Sequence, residues 1–171
     1  YLRVKTFTPD LEDPRGPEVI YCFENYCFYY EVNPFYVDTL DGEVIADFIN
    51  EIYEPYYQKY GTTFDGFFTD EPQYFRWGTP WSVIIPDEFK KAYGYDVMDG
   101  LIKLFVDCDG CREFRYDYFL LIHRLYIESF AKQIYDWCVA NGYGFTGHLV
   151  SDDSLLGGLN GSGAHMPHYE Y

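Results

Sequence analysis

The chain has 171 residues, enough for one domain with a real core, and no apolar run approaches the ~20 residues that a membrane-spanning helix requires. Its 28 acidic residues against 12 basic ones give a formal net charge of −16, which argues against a nucleic-acid backbone as partner, since that needs clustered Lys and Arg. Aromatic residues are 22% of the chain, and rings that stack on sugar C–H faces beside carboxylates that accept hydroxyl hydrogen bonds suit a carbohydrate surface.

Residues 2–7 and 21–32 read as two strands, the first alternating Leu2, Val4 and Thr6 with Arg3 and Lys5. Residues 10–17, rich in Pro, Gly and charge, form a loop between them. Residues 36–40 form another short strand candidate, with Asp38 inside it. Asp41 is placed to cap the helix that follows, and Glu43 suits its positive first turn. Ile45, Phe48, Ile49, Ile52 and Tyr56 recur at helical spacing. Pro55 should kink that helix or end its regular part, and Gly61 closes it.

The stretch Phe64-Asp-Gly-Phe-Phe-Thr-Asp-Glu-Pro72 has the pattern of a buried strand over 64–69 that runs into Asp70 and Glu71. Pro72 then blocks further pairing. Charge at the carboxyl end of a buried strand is where ligands bind in parallel α/β folds. Tyr74, Phe75, Trp77 and Trp81 follow within ten residues and offer flat surfaces for stacking.

A short helix over 87–94 ends in Gly94, helical character continues over 101–106, and one long helix fills 112–141 with Asn141-Gly142 as its C-cap. Gly144-Phe-Thr-Gly-His-Leu-Val150 is a further strand, met by Asp152 and Asp153 as the earlier strand is met by Asp70 and Glu71. A last strand begins at 167–171 and carries Glu170. Tyr1 and that final strand read as cut ends, so further domains of the same polypeptide are expected.

Strands alternating with helices predict a parallel sheet. No GxGxxG or GxxxxGK[ST] phosphate loop occurs. The predicted fold is therefore α/β, a (β/α)8 TIM-type barrel of which residues 1–171 supply the central part. Residues 1–32 are its leading strands and 73–141 a loop plus long helical excursion. Five scattered cysteines, an odd number, make a poor disulfide framework and lean towards a reducing, cytoplasmic setting, with a secreted or periplasmic one as the alternative. Cys108-Asp-Gly-Cys111 is a lone CxxC.

Glycosidic cleavage needs one protonated carboxyl to donate to the leaving oxygen and one carboxylate to attack or to activate water. Glu71 is the candidate donor, because its longer side chain reaches further and Asp70 beside it disfavours the ionised form. Glu170, Asp152 and Asp153 are the candidate partners, and spacing does not choose among them. Asp70, Asp152 and Asp153 are hard oxygen ligands that would suit Ca²⁺ or Mg²⁺ better than zinc, without EF-hand spacing. No GxSxG elbow supports Ser/His/Asp chemistry.

The series Tyr36-Val-Asp-Thr-Leu40, Phe67-Phe-Thr-Asp-Glu-Pro-Gln73, Phe89-Lys-Lys-Ala-Tyr-Gly-Tyr-Asp96, Arg115-Tyr-Asp-Tyr118, Trp137-Cys138, Thr146-Gly-His148 and Tyr169-Glu-Tyr171 resembles the central barrel of α-L-rhamnosidase-type glycoside hydrolases of family 106. The resemblance runs from about residue 18 to the end. It implies a (β/α)8 catalytic barrel within a larger enzyme that hydrolyses α-linked L-rhamnose from plant polysaccharide with inversion, with a calcium ion in the site. The Asp-Glu-Pro glutamate of that pattern falls on Glu71, the Gly-His histidine on His148 and the Tyr-Glu-Tyr glutamate on Glu170. Asp152-Asp153 stands where a glutamate is expected, one methylene shorter.

Glu71 and Glu170 are thus the expected catalytic pair. Asp38, Asp70, Tyr74, Trp77, Trp81, His148, Asp152 and Asp153 are the expected sugar-binding groups. The competing readings are a non-catalytic carbohydrate-binding barrel, a glycosidase of other specificity such as a galactosidase, and a structural fragment whose acidic strand ends are solvated surface.

Overall fold

The computed structural model describes residues 2–6, 19–32, 35–72, 74, 78–148 and 154. In chain order they form β1 (Leu2–Thr6), β2 (Val19–Phe23), β3 (Tyr26–Tyr30), α1 (Gly42–Phe48), a π turn (Ile49–Tyr53), α2 (Glu54–Tyr60), β4 (Gly66–Asp70), α3 (Ile85–Tyr93), a 3₁₀ helix (Val97–Leu104), α4 (Cys111–Tyr126), a second π turn (Ile127–Lys132), α5 (Gln133–Ala140) and β5 (Gly144–His148). Contacts divide the chain into two units, Tyr1–Pro34 with Trp77–Leu121, and Phe35–Arg76 with Ile122–Tyr171.

In the first unit the strands form an antiparallel sheet in the order β1-β3-β2. This corrects the reading of 21–32 as one strand and of 1–32 as leading strands of a parallel sheet. Glu24 adopts a left-handed backbone (φ 51°), which lets the chain reverse through Glu24 and Asn25. The reversal sets Cys22 opposite Cys27, and the two are joined as a disulfide. The cysteines therefore contain one disulfide pair, which their scatter along the chain conceals.

Leu2, Cys27 and Phe28 are buried. Pro86 opens α3 with Asp87 and Glu88 in its first turn, and Gly94 (φ 79°) closes it. Its buried Phe89 lies among the rings of Tyr93, Tyr95, Phe114 and Tyr118. The fully buried Tyr118 hydroxyl donates to the Pro80 carbonyl at 2.6 Å, so the ring's one polar atom is satisfied.

In the second unit residues 36–40 form a turn rather than a strand, which removes one strand from the expected alternation of strands and helices. The Asp38 carboxylate accepts from the Leu40 amide at 3.0 Å, a side-chain-closed turn that competes with extended pairing. Asp41 caps α1 as expected, accepting from the Glu43 amide at 2.9 Å. The start of α1 is held by Ser129, whose hydroxyl donates to the Leu40 carbonyl at 2.9 Å, and by Gln133, whose amide donates to the Gly42 carbonyl at 3.0 Å.

The regular α-helix gives way ahead of Pro55, as expected. The chain widens into the π turn immediately before it and continues to Tyr60. A proline lacks the amide donor and crowds the carbonyl four residues back, and a wider turn makes room for both defects. Gly61 (φ 52°) then closes the helix.

β4 pairs in parallel with β5, in register from Gly66↔Gly144 to Asp70↔His148. Between them runs the long helix expected over 112–141, found as α4, the second π turn and α5, with its first residues in the first unit and the rest in the second. Asn141 and Gly142 (φ 79°) close it, and the Asn141 side chain donates to the Trp137 carbonyl at 2.9 Å.

Beneath the strands, Phe67 lies against Tyr53, Trp137 and Tyr143, and Phe64 stacks on Tyr143 at 4.7 Å. Along both strands exposure alternates residue by residue, and Phe68 is 55% exposed. β4 is thus half-covered rather than buried, since one face of the described pair lacks a packed layer. The strand expected at 167–171 lies outside the described residues.

Candidate functional site

A strand shows successive side chains to opposite faces, so Phe68 and Asp70 share one face of β4, and Thr146 and His148 share the matching face of β5. These four are exposed, as are Gly66 and Gly144 on the same face, while Phe67, Thr69, Phe145 and Gly147 are half-covered. The same inner face carries the Tyr53 ring, whose phenol is pushed up by burial against a smaller opposing effect of its hydrogen bond with Thr69.

At the carboxyl end, Asp70 stands opposite His148, with its Oδ1 3.8 Å from His148 Nδ1. The Glu71 amide donates to the His148 carbonyl at 3.1 Å, extending the ladder one residue beyond the strand. Glu71 itself is left-handed, φ 49°, a conformation that costs an ordinary residue about 1–2 kcal/mol. The strand's alternation stops there, and Pro72, which is buried, prevents it from resuming. A carboxylate, a second carboxylate on a strained backbone and an imidazole thus meet at one end of a parallel pair. Such a set can donate and accept protons and can hydrogen-bond hydroxyl groups.

Of the other expected sugar-binding groups, Asp38 closes the turn ahead of α1. Tyr74 is 5% exposed with its ring 4.8 Å from Tyr126, and burial raises its phenol well above the usual range. It is a core ring, which corrects its reading as a stacking surface. Trp81 is half-buried and belongs to the first unit, whereas the strand ends belong to the second. Trp77, Asp152, Asp153 and Glu170 lie outside the described residues.

Phe68 is the group that sequence reasoning passed over. Its exposed ring meets His148 edge-on at 4.9 Å. The signal was available, because Phe68 is two residues before Asp70 and a strand must put both on the same face.

Among the described residues no three His, Cys, Asp or Glu side chains come together to hold a metal ion. Of the oxygen donors expected for Ca²⁺, only Asp70 is among the described residues. No helix among the described residues is long and apolar enough to cross a membrane.

No family model and no curated protein sequence matches the chain. A solved rhamnosidase from Novosphingobium sp. PP1Y has a similar fold, with a TM-score of 0.55 and 20% identity over 82% of this chain. The matched region is 13% of that protein's length.

Proposed function

We propose that the chain is part of a (β/α)8-barrel glycoside hydrolase acting on α-L-rhamnosides of plant-type oligo- or polysaccharide. The observation that carries this reading is the parallel register Asp70↔His148, which gathers Asp70, Glu71 and His148 at one carboxyl strand end. Strand ends of this kind share a rim in barrel enzymes, and catalytic groups come from several of them. The likeness to part of a rhamnosidase supports the glycoside-hydrolase part of this reading.

In this mechanism Glu71 donates a proton to the leaving glycosidic oxygen. A second carboxylate, assigned here to Glu170, activates water on the opposite face of the sugar. Asp70 and His148 hold hydroxyl groups, and Phe68 offers a ring to the sugar's C–H face. The Cys22–Cys27 disulfide favours an oxidising compartment over the cytoplasmic one expected from the cysteine count.

The test is Glu71→Ala in the whole polypeptide, assayed on a natural rhamnoside and on a nitrophenyl rhamnoside. Loss of a general acid costs about 10²–10⁴-fold in rate, and an acidic leaving group needs no proton. Hydrolysis of the natural substrate should therefore collapse while that of the activated one is largely spared. Equal slowing of both would assign Glu71 to another role, and no turnover of either by the unaltered protein would remove the enzyme reading.

A further inference from the structure

The first unit carries a second cysteine pair that the proposed hydrolase does not use. Cys108, Asp109, Gly110 and Cys111 form a tight turn, closed by the Cys111 amide donating to the Cys108 carbonyl at 3.1 Å. Gly110, the third residue of that turn, has φ 72°, the left-handed value that a type II turn demands there. A side chain at Gly110 would be strained and would also meet Lys103 Nζ, 3.3 Å from the position of its Cβ. The turn is thus specified by its sequence.

It is also anchored on both sides. Downstream, Cys111 is the first residue of α4, and the Phe114 amide donates to the Gly110 carbonyl at 3.2 Å. Upstream, the Arg115 guanidinium reaches back from α4 to hold the incoming chain at three points. These are the Lys103 carbonyl at 2.7 Å, Asp107 Oδ1 at 2.7 Å and the Val106 carbonyl at 3.1 Å.

The first and fourth residues of a β-turn have Cα atoms less than about 7 Å apart, and a disulfide spans about 4.4–6.8 Å. Cys108 is exposed and Cys111 buried, and both are free thiols. One cysteine is therefore open to a solution reagent, and the turn brings the backbone of the other within the span of a disulfide.

We propose that Cys108 and Cys111 are a reversible dithiol–disulfide site, closed by exchange with a small-molecule disulfide. The Cys108 thiolate attacks one sulfur of the reagent and breaks its S–S bond, expelling one thiolate and leaving a mixed disulfide on Cys108. The Cys111 thiolate then attacks the Cys108 sulfur and expels the second reagent thiolate. The two cysteines are oxidised by two electrons, the reagent is reduced to two thiols, and the two protons pass to the departing thiolates. Anchoring of the turn favours the second step, since the two cysteines are already held at the separation that a disulfide spans. Cys138 supplies an internal control, because it is buried and burial pushes its thiol up to about 11.

The experiment treats the full chain, with Cys108, Cys111 and Cys138 reduced, with oxidised glutathione. It then counts alkylatable thiols in denaturant and maps the bridge by mass spectrometry. Three free thiols should fall to one, Cys138, with Cys108 joined to Cys111 and no retained glutathione. Cys111→Ala should instead stop at glutathione held on Cys108, and a reduced thiol should reopen the ring in the unaltered chain. Retention of both thiols, or a mixed disulfide on Cys108 in the unaltered chain as in Cys111→Ala, overturns the proposal. Circular dichroism of Cys111→Ala before oxidation checks that the variant is folded. If it is not, Cys108→Ser, altered at an exposed position, takes its place and should leave Cys111 and Cys138 both free.

Discussion

β2 and β3 are joined through two residues, Glu24 and Asn25, whereas residues 71–143 separate β4 from β5. The first pair is a local device: a left-handed residue reverses the chain, a disulfide ties the two strands, and β1 completes a sheet around the buried Phe28. The second pair exists only because a long helical crossover brings distant segments side by side. At the carboxyl end of the second pair, residues far apart in sequence, Asp70, Glu71 and His148, come together, whereas the first pair is closed by the neighbouring Glu24 and Asn25. A hairpin brings together residues that are already neighbours, while a parallel crossover can put Asp70 and Glu71 beside His148. That juxtaposition is what a site needs, and it makes the pair the less self-sufficient of the two sheets.

The widest separation should come from truncating one ring in each. Phe28 is 1% exposed and Phe67 half-covered. Phe28→Ala is expected to cost about 3–5 kcal/mol, the usual range for a buried ring, and to strip amide protection from β1–β3. Phe67→Ala should cost nearer 2 kcal/mol, with the loss confined to β4, β5 and the adjoining helices. Denaturant titrations with hydrogen exchange measure both. If Phe67→Ala costs as much as Phe28→Ala, the parallel pair is as firmly built as the antiparallel sheet and the contrast fails.

A smaller effect sharpens the contrast from the backbone side. A Cβ on Gly66 would lie 2.3 Å from the Gly144 carbonyl oxygen, at the pair that opens the parallel register. Gly66→Ala should force the strands apart at a cost of about 1–3 kcal/mol, as overpacking does. Gly94→Ala meets nothing within 4 Å and has only its left-handed φ to strain, so about 1 kcal/mol is expected there. Thermal melts of the two variants decide the matter, and a neutral Gly66→Ala would mean that the register tolerates slippage.

How far these features can be read in advance differs between the two units for the same physical reason. The helices were legible because their signals are local: Asp41 caps, Gly61 and Gly94 close, and Asn141-Gly142 ends the long helix. The hairpin was missed because the β-rich run from Tyr21 to Val32 conceals a two-residue reversal. The symmetric placing of Cys22 and Cys27 about Glu24 and Asn25 was the available clue. Residues 36–40 have strand-like composition, yet the Asp38 side chain closes a turn on the Leu40 amide and removes the segment from any ladder. At the site, the strand ends with Asp70, Glu71 and His148 were legible from the break between aromatic run and charge. The burial of Tyr74 was not, because it depends on the ring of Tyr126, more than fifty residues away in sequence.

The smallest expected change in stability concerns the site itself. Asp70 has a side chain 78% exposed, and its 3.8 Å approach to His148, itself 67% exposed, is an ion pair only when the imidazole carries a proton. Exposed pairs of this kind contribute about 0–1 kcal/mol, because water screens them and two mobile side chains must be ordered. Asp70→Asn keeps the shape and removes the charge, so it should move the midpoint of unfolding by less than about 0.5 kcal/mol, far below Phe28→Ala or Gly66→Ala. Under the proposed function, the same change in the whole polypeptide should nevertheless weaken rhamnoside turnover, because the carboxylate proposed to bind a hydroxyl has been lost. A stability-neutral variant with impaired turnover would separate site from scaffold within one strand, Asp70 on one face and Phe67 on the other. If Asp70→Asn instead destabilises the chain by more than about 1 kcal/mol, its carboxylate is part of the structure of the parallel pair, and the division between the two regions has been drawn in the wrong place.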